Sequence, residues 1–329
     1  MQENQNNKFK WIRLSFGVSF LLMLIKFGAY YLTNSNAILS DALESIINVV
    51  ASSFAFYSIY LSSLPRDPNH PYGHGKIEYF SSGFEGALII MAGVLIVIGA
   101  IDRLLEPQPI SHLDWGAGLV AITIMINFGL GTYLQKVGQN TRSEALIADG
   151  KHLVVDSVGS VIILIGLLFV YLTNIIWLDA AVSLLVSVLI FYNGFKIIRR
   201  SVAALMDETD SELLNEVISI VKDHKKHEWI DVHNLRIQKY GSDLHIDCHL
   251  TLPYYWDLRQ VHDSVHDFEE IVEKNTTGRL EVFIHADPCL PECCHYCKLN
   301  CTKRSEPFKN DIDWDVTKLT TNQKHFVEL

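Results

Sequence analysis

The chain has 329 residues, 49% of them apolar, and a net charge of −10. Residues 1–200 hold 13 basic and 13 acidic side chains, whereas residues 201–329 hold 14 and 24, so the acidic excess lies in the second part. That length suggests about two domains, and the charge balance excludes the basic footprint of a nucleic-acid-binding protein.

Residues 1–10 are polar and read as a frayed N-terminal tail. Runs follow that can cross a bilayer, which takes about 20 apolar residues per helix. The first spans 11–32 and contains Lys26, a lysine able to pair with an acid or to snorkel towards an interface. It lacks a small-residue cleavage site and reads as a retained anchor, not a signal peptide. A turn at 33–36 leads to a second helix over 37–64, with Asp41, Glu44 and Asn48 among small and apolar residues. Pro65 ends it, and RDPNHPYGHGK follows as an ordered turn. A third helix spans 78–105, then comes a loop at 106–111 with Pro107 and Pro109. The fourth helix spans 114–136. Arg142 precedes the fifth, over 144–172, and a turn at 173–178 leads to the sixth, over 179–198, closed by Arg199 and Arg200. In a six-helix layout Lys8, Lys10, Arg13, Arg66, Lys76, Lys136, Arg142, Arg199 and Arg200 share one side, and the opposite connections carry Arg103. The positive-inside rule then places both termini in the cytoplasm.

Beyond residue 206 the pattern changes. Asp210 caps a helix with Leu213, Leu214, Val217, Ile218 and Val221 on one face. A strand is predicted over 232–240, a turn at Gly241-Ser242, and a second strand over 244–252. In the latter Leu244, Ile246, Cys248, Leu250 and Leu252 alternate with His245, Asp247, His249 and Thr251. A helix over 257–274 turns Val261, Val265, Phe268 and Ile271 inward, and a strand closes the set over 280–286. The order αββαβ predicts a small sheet with helices on one side, an α+β fold of ferredoxin-like, metallochaperone-like type. The expected layout is a tail (1–10), a six-helix transmembrane domain (11–206), a cytoplasmic αββαβ domain (207–288), and a Cys-rich segment with a polar, disordered tail (289–329).

The organising stretch is ADGKHLVVDSVG, in which His152 and Asp156 stand four residues apart and share one helix face. Ionisable groups at membrane depth usually face a bundle interior and mark an ion path. Glu44 and Asn48 form a second such pair. Two pairs on facing helices close a roughly tetrahedral four-ligand site, which suits Zn²⁺ and tolerates other first-row divalent ions. The plainer alternative is a polar helix–helix contact, but two acids at depth favour a metal. All six cysteines follow residue 247. Cys289, Cys293, Cys294, Cys297 and Cys301 crowd together without the paired spacing of a zinc ribbon, which suits a soft or borderline ion such as Zn²⁺ or Cu⁺, or a reducible disulfide cluster. There is no HExxH or Ser/His/Asp signature, so neither an enzyme nor an organic cofactor is expected.

With SNAILSDALESIINV in the second helix, HPYGHGKIE in the loop, HLVVD in the fifth helix and IHADP in the last strand, the chain resembles the cation diffusion facilitator family. The resemblance covers nearly all of residues 11–288. It implies a homodimeric proton–metal antiporter of the cell membrane, the inner membrane in a Gram-negative cell, exporting Zn²⁺ or a related ion (Fe²⁺, Mn²⁺, Co²⁺). It maps the transport ligands onto Glu44, Asn48, His152 and Asp156. The family's usual second-helix pair is Asp or His followed by Asp. Glu then Asn removes one negative charge and lengthens one arm, which leaves the metal open and brings in Asp41 as a compensating acid. The resemblance also implies a loop metal site at His70 and His74, with Asp67 one residue displaced. It implies a charge pair of Lys76 with Asp207 that holds the dimer. It further implies cytoplasmic metal sensing at His233, His249, His262, His285 and Asp287, with His266 as an adjunct. The competing reading is a membrane-bound metal or redox sensor through which nothing crosses.

Overall fold

The computed structural model describes residues 2–33, 36–105, 113–173, 177–241, 243–276 and 279–325. The expected loop at 106–111 lies outside these residues, and the turns at 33–36, 173–178 and 241–242 lie partly outside them. The chain divides into two compact units, Met1–Met206 and Asp207–Leu329.

The first unit consists of long helices: α1 (Gln2–Thr33), α2 (Asn36–Ser62), α3 (Ile77–Leu105), α4 (Leu113–Thr141), α5 (Glu144–Thr173) and α6 (Trp177–Leu205). Among the described residues, three helical stretches are long and apolar enough to cross a membrane: Lys8–Gly28, Ser45–Ser62 and Ile77–Asp102. Two sequence expectations are corrected. Helix α1 begins at Gln2, so the first ten residues are not a frayed tail, and α6 runs on past Arg199 and Arg200 to Leu205. Hydropathy marks only the apolar part of a helix, whereas its polar ends continue where side chains find partners. Lys8 is buried and lies 3.4 Å from Glu78, and Arg200 donates to Glu144 at 2.9 Å.

α3 packs along α6, α4 along α5 and α1 along α2. Large apolar side chains such as Leu21, Leu95, Phe169 and Val188 face outward, while serines and glycines line the contacts, the distribution expected where lipid lies outside. The α4–α5 crossing is the tightest constraint on the site. A Cβ on Gly150 would stand 2.6 Å from the Gly131 carbonyl oxygen, and one on Gly131 would stand 2.7 Å from that of Gly150. These two backbones therefore touch two residues before His152.

The second unit follows the order α7 (Ser211–Asp223), β1 (Asp231–Tyr240), β2 (Asp243–Leu252), α8 (Leu258–Asn275) and β3 (Arg279–Pro288). Asp210 caps α7, accepting from the Glu212 and Leu213 amides at 3.1 Å. Asp257 and Gln260 form a capping box on α8. The sheet order is β1-β2-β3, with β1 and β2 antiparallel and β2 and β3 parallel. The alternating residues of β2 enter one core with the apolar stripes of α7 and α8, around Trp229 and Phe268.

The segment after β3 is not disordered over its described length. Pro291–His295 forms a 3₁₀ turn and Val316–Thr320 a short helix, α9. Trp314 and Leu319 enter the main core, and Thr321 accepts from the Asn234 amide at 2.7 Å. Two apolar anchors suffice to fold a segment whose average composition is polar.

Gly150→Ala is expected to destabilise the protein by about 1–3 kcal/mol through overpacking, read as a lower unfolding temperature in detergent. Gly17→Ala, with nothing within 4 Å of its added Cβ, should leave that temperature in place.

Candidate metal sites

Inside the first unit, α5 carries His152 and Asp156 on one face, and α2 brings Asn48 to them. Asn48 and His152 are buried, at 6% and 3% exposure. His152 Nε2 lies 2.7 Å from Asn48 Oδ1, and Asn48 Nδ2 donates to Asp156 Oδ2 at 2.7 Å. The amide therefore joins the imidazole to the carboxylate. The side chains of Asp41 and Glu44 lie outside the described residues. A neutral imidazole nitrogen, an amide oxygen and a carboxylate offer three donors at one point. Simple polar glue accounts for the two contacts, but it leaves His152 Nδ1 buried without a partner among the described residues, and such orphans are rare in native interiors.

In the loop between α2 and α3, Asp67 accepts from the Asn69 and His70 amides at 2.8 and 2.7 Å. His70 Nδ1 stands 3.1 Å from Asp67 Oδ1, and His74 Nε2 stands 3.3 Å from Oδ2. Gly73, at φ +88°, turns the chain so that His74 returns beside His70. One donor atom from each residue lies within 4.8 Å of the others. Partial desolvation raises the Asp67 carboxyl, but hydrogen bonds from His70 and Asn69 outweigh it and hold the group below the usual carboxylate range. The displaced acid thus stands with both histidines.

In the second unit, strand register builds the site. His233 on β1 is opposite His249 on β2, which is opposite His285 on β3. One row of the sheet therefore carries three imidazoles, and Asp287 stands two residues beyond His285 on β3. His249 Nδ1 is 3.1 Å and His233 Nε2 is 3.4 Å from Asp287 Oδ2. His285 Nε2 is 3.7 Å from Oδ1. His233, His249 and Asp287 form a second set with donors within 4.8 Å. His262 and His266 lie instead on the exposed side of α8, beside each other.

Three residues at this site escaped sequence reasoning. Asp231 is fully buried, 3.4 Å from His233 Nδ1 and 2.5 Å from His325 Nδ1. Lys324 Nζ is 3.7 Å from Asp287 Oδ1. Asp231 backs a metal-donor histidine with a carboxylate, the usual outer-shell arrangement. An Asp at the start of a strand and a His in a polar tail carry no motif, and only the folding of the tail onto β1 joins them.

The cysteines do not converge. All six thiols are free, and no donor set within 4.8 Å among the described residues includes a cysteine. Cys293 and Cys297 are buried beside Tyr296 and Ile230, while Arg304 staples the loop by donating to the carbonyls of Cys294, Cys297 and Leu299. The 3₁₀ turn covers Cys293 and Cys294 and leaves Cys289, Cys297 and Cys301 on the flanking chain. Lys76 lies in the first unit and Asp207 opens the second.

Long apolar helices around a buried His–Asn–Asp set, joined to a sheet with a row of metal donors, define a cation-handling membrane protein. Residues 12–206 match the cation efflux transmembrane domain, and residues 209–289 match the cation efflux protein cytoplasmic domain. An uncharacterised transporter of Synechocystis sp. is 32% identical over 84% of this chain and 88% of its own. The manganese efflux system protein MneP of Bacillus subtilis is 28% identical over 79% and 89%, and the cation-efflux pump FieF of Salmonella arizonae is 28% identical over 82% and 88%. The chain belongs to the cation diffusion facilitator family. It is a cation efflux transporter and not an enzyme, with a dimerisation-type cytoplasmic domain.

Burial lowers the His325 imidazole, but Asp231 outweighs it and raises the group above its ordinary value. Burial raises Asp231, but His233 and His325 outweigh it and bring the group below the usual range. The His325 contribution is therefore full below about pH 6.5 and lost as pH rises through the raised value; that of Asp231 is present above about pH 3.9 and lost as pH falls. Protection factors across Leu319–His325, corrected for the intrinsic pH dependence of amide exchange and measured in chelator, should fall from pH 6 to pH 8, and His325→Ala should abolish that fall.

Proposed function

We propose that this chain is a homodimeric antiporter that exports a divalent first-row cation in exchange for protons. In this reading α1–α6 span the membrane with both termini in the cytoplasm. The carrying observation is the buried contact of His152, Asn48 and Asp156, with Glu44 one turn from Asn48 on α2 as the fourth ligand. The clustering of Lys and Arg at one end of the helices supports the orientation.

The mechanism follows from ligand basicity. A cation needs a neutral imidazole and ionised carboxylates, so loading releases protons. Protons and the metal compete for the same imidazole and carboxylate atoms. Access from the cytoplasm favours loading, and access from the acidic side favours protonation and release. Alternating access then couples the two flows.

The donor set accommodates Zn²⁺ through its imidazole and coordination number. An amide oxygen in place of a carboxylate extends the range to Fe²⁺, Mn²⁺ and Co²⁺, and relatives named for manganese and general cation efflux agree with that breadth. The loop set of Asp67, His70 and His74 acts as a peripheral site. His233, His249, His285 and Asp287 sense cytoplasmic metal and shift the resting state by binding one conformation better. A sensor without transport would rest on the thiol cluster, whose sulfurs do not gather.

The test is metal uptake into reconstituted vesicles with an imposed pH gradient. Asp156→Ala should lower flux by at least about tenfold, since even outer-shell changes have effects of 10–100-fold. Undiminished flux overturns the site, and flux indifferent to the gradient overturns the proton coupling. Asn48→Asp should reorder competition among Zn²⁺, Mn²⁺, Fe²⁺ and Co²⁺. An unaltered order removes Asn48 from selectivity.

A further inference from the structure

The His152 layer is not the only polar layer among these helices. Asp149 precedes His152 by three residues on α5, a rise of about 4.5 Å, and Ser52 follows Asn48 by four on the antiparallel α2. Both steps lead towards the end of the helices that bears the 65–76 loop. There Asp149, fully buried, accepts from Ser15 at 2.6 Å and from Ser52 at 2.8 Å. Glu85 on α3 is also fully buried, and its charge interacts with that of Asp149. Neither carboxyl oxygen of Glu85 has a hydrogen-bond partner among the described residues. The hydroxyls of Ser81, one turn before Glu85, and of Ser19, one turn after Ser15, are likewise buried and unpartnered.

The next layer out shows what a settled acid looks like in this bundle. Glu78, seven residues before Glu85, is met by Lys8 at 3.4 Å, Ser62 at 2.9 Å and Ser143 at 2.5 Å. Glu85 has no lysine: the described charged group acting on it is Asp149, an acid. A desolvated carboxylate without a donor persists only with a proton or a cation bound, and two buried carboxyls whose charges interact resist joint ionisation. Two carboxylates with hydroxyls around them are a hard, oxygen-only donor set, the kind that takes divalent cations without discriminating strongly among them.

We propose that Glu85 and Asp149, with the Ser15 and Ser52 hydroxyls, form a second intramembrane cation site in which the dication waits on the cytoplasmic side before passing to His152. The charge balances: a dication neutralises two carboxylates, and the proton that Glu85 carries otherwise leaves to water on loading. The proposal deepens the transport reading and rests on it.

A hydrophobic carbodiimide, which modifies protonated carboxyls away from water, tests this in the full-length detergent-solubilised protein, with modified peptides identified by mass spectrometry. Glu85 should be modified, and Mn²⁺ should slow that modification by at least about tenfold, both in wild type and in Asp156→Ala, where the His152 site is broken. In vesicles, Glu85→Gln should raise KM for metal by about tenfold, as expected for loss of a donor, with Glu85→Asp intermediate. A Glu85 that is not modified, modification that Mn²⁺ does not slow in Asp156→Ala, or an unchanged KM in Glu85→Gln overturns the proposal. Because labelling needs no gradient, absence of flux in the wild type would fail the transport reading separately.

Discussion

A charge inside a membrane helix bundle must be matched where it stands, because no water is at hand to do so. The first unit is arranged around that constraint. Its described interior acids lie on α3 and α5, and its small residues let the helices approach closely enough to bring donors to them. The Gly131–Gly150 contact fixes α5 against α4 just before His152. Serines from α1 and α2 then reach Asp149, and Asn48 reaches both His152 and Asp156. Each polar side chain rests on a close backbone contact, so the site and the packing are one arrangement.

The second unit solves a different problem with a different device. Its donors come from strand register. Antiparallel pairing sets His233 opposite His249, and parallel pairing sets His249 opposite His285. A one-residue slip in either pair would bury the donors in the core and expose Leu250. The apolar alternation of β2 therefore specifies the histidine row as firmly as it specifies the core. The tail adds a layer beyond the family's domain: Trp314 and Leu319 anchor it, and His325 and Lys324 then meet the acids that flank the histidine row.

The legible part of this architecture was the part written in periodicity. Helices, strands and their order followed from apolar spacing, and the i,i+4 pair in HLVVD pointed to the intramembrane contact before any coordinates. The loop histidines were marked by their prolines and glycines. What remained illegible depends on distant chain segments meeting. Glu78 and Glu85 look alike in sequence, and Lys8, Ser62 and Ser143, brought from 70, 16 and 65 residues away, separate them. Asp231 and His325 are ninety-four residues apart and belong to no pattern. The crowding of Cys289–Cys301 suggested a shared ligand, but among the described residues no donor set within 4.8 Å includes a cysteine. The polar tail read as disordered because composition averages over Trp314 and Leu319.

The contrast between Glu78 and Glu85 also explains why a transporter needs both kinds of acid. A carboxylate locked to a lysine and two serines is a structural tie: displacing its partner would strand a charge, so it resists exchange and holds α1 to α3. Glu85 has no hydrogen-bond partner among the described residues to lose, and in the proposed second site whatever cation neutralises it comes from solution and returns there. Substituting Asn48 for a carboxylate in the inner layer works in the same direction. In the proposed antiport it removes one charge from the inner layer, so that a dication held there is more readily displaced by protons. Efflux requires intermediate affinity at each step, and in that reading the chain would set affinity, layer by layer, by how many negative charges are left for the cargo to neutralise.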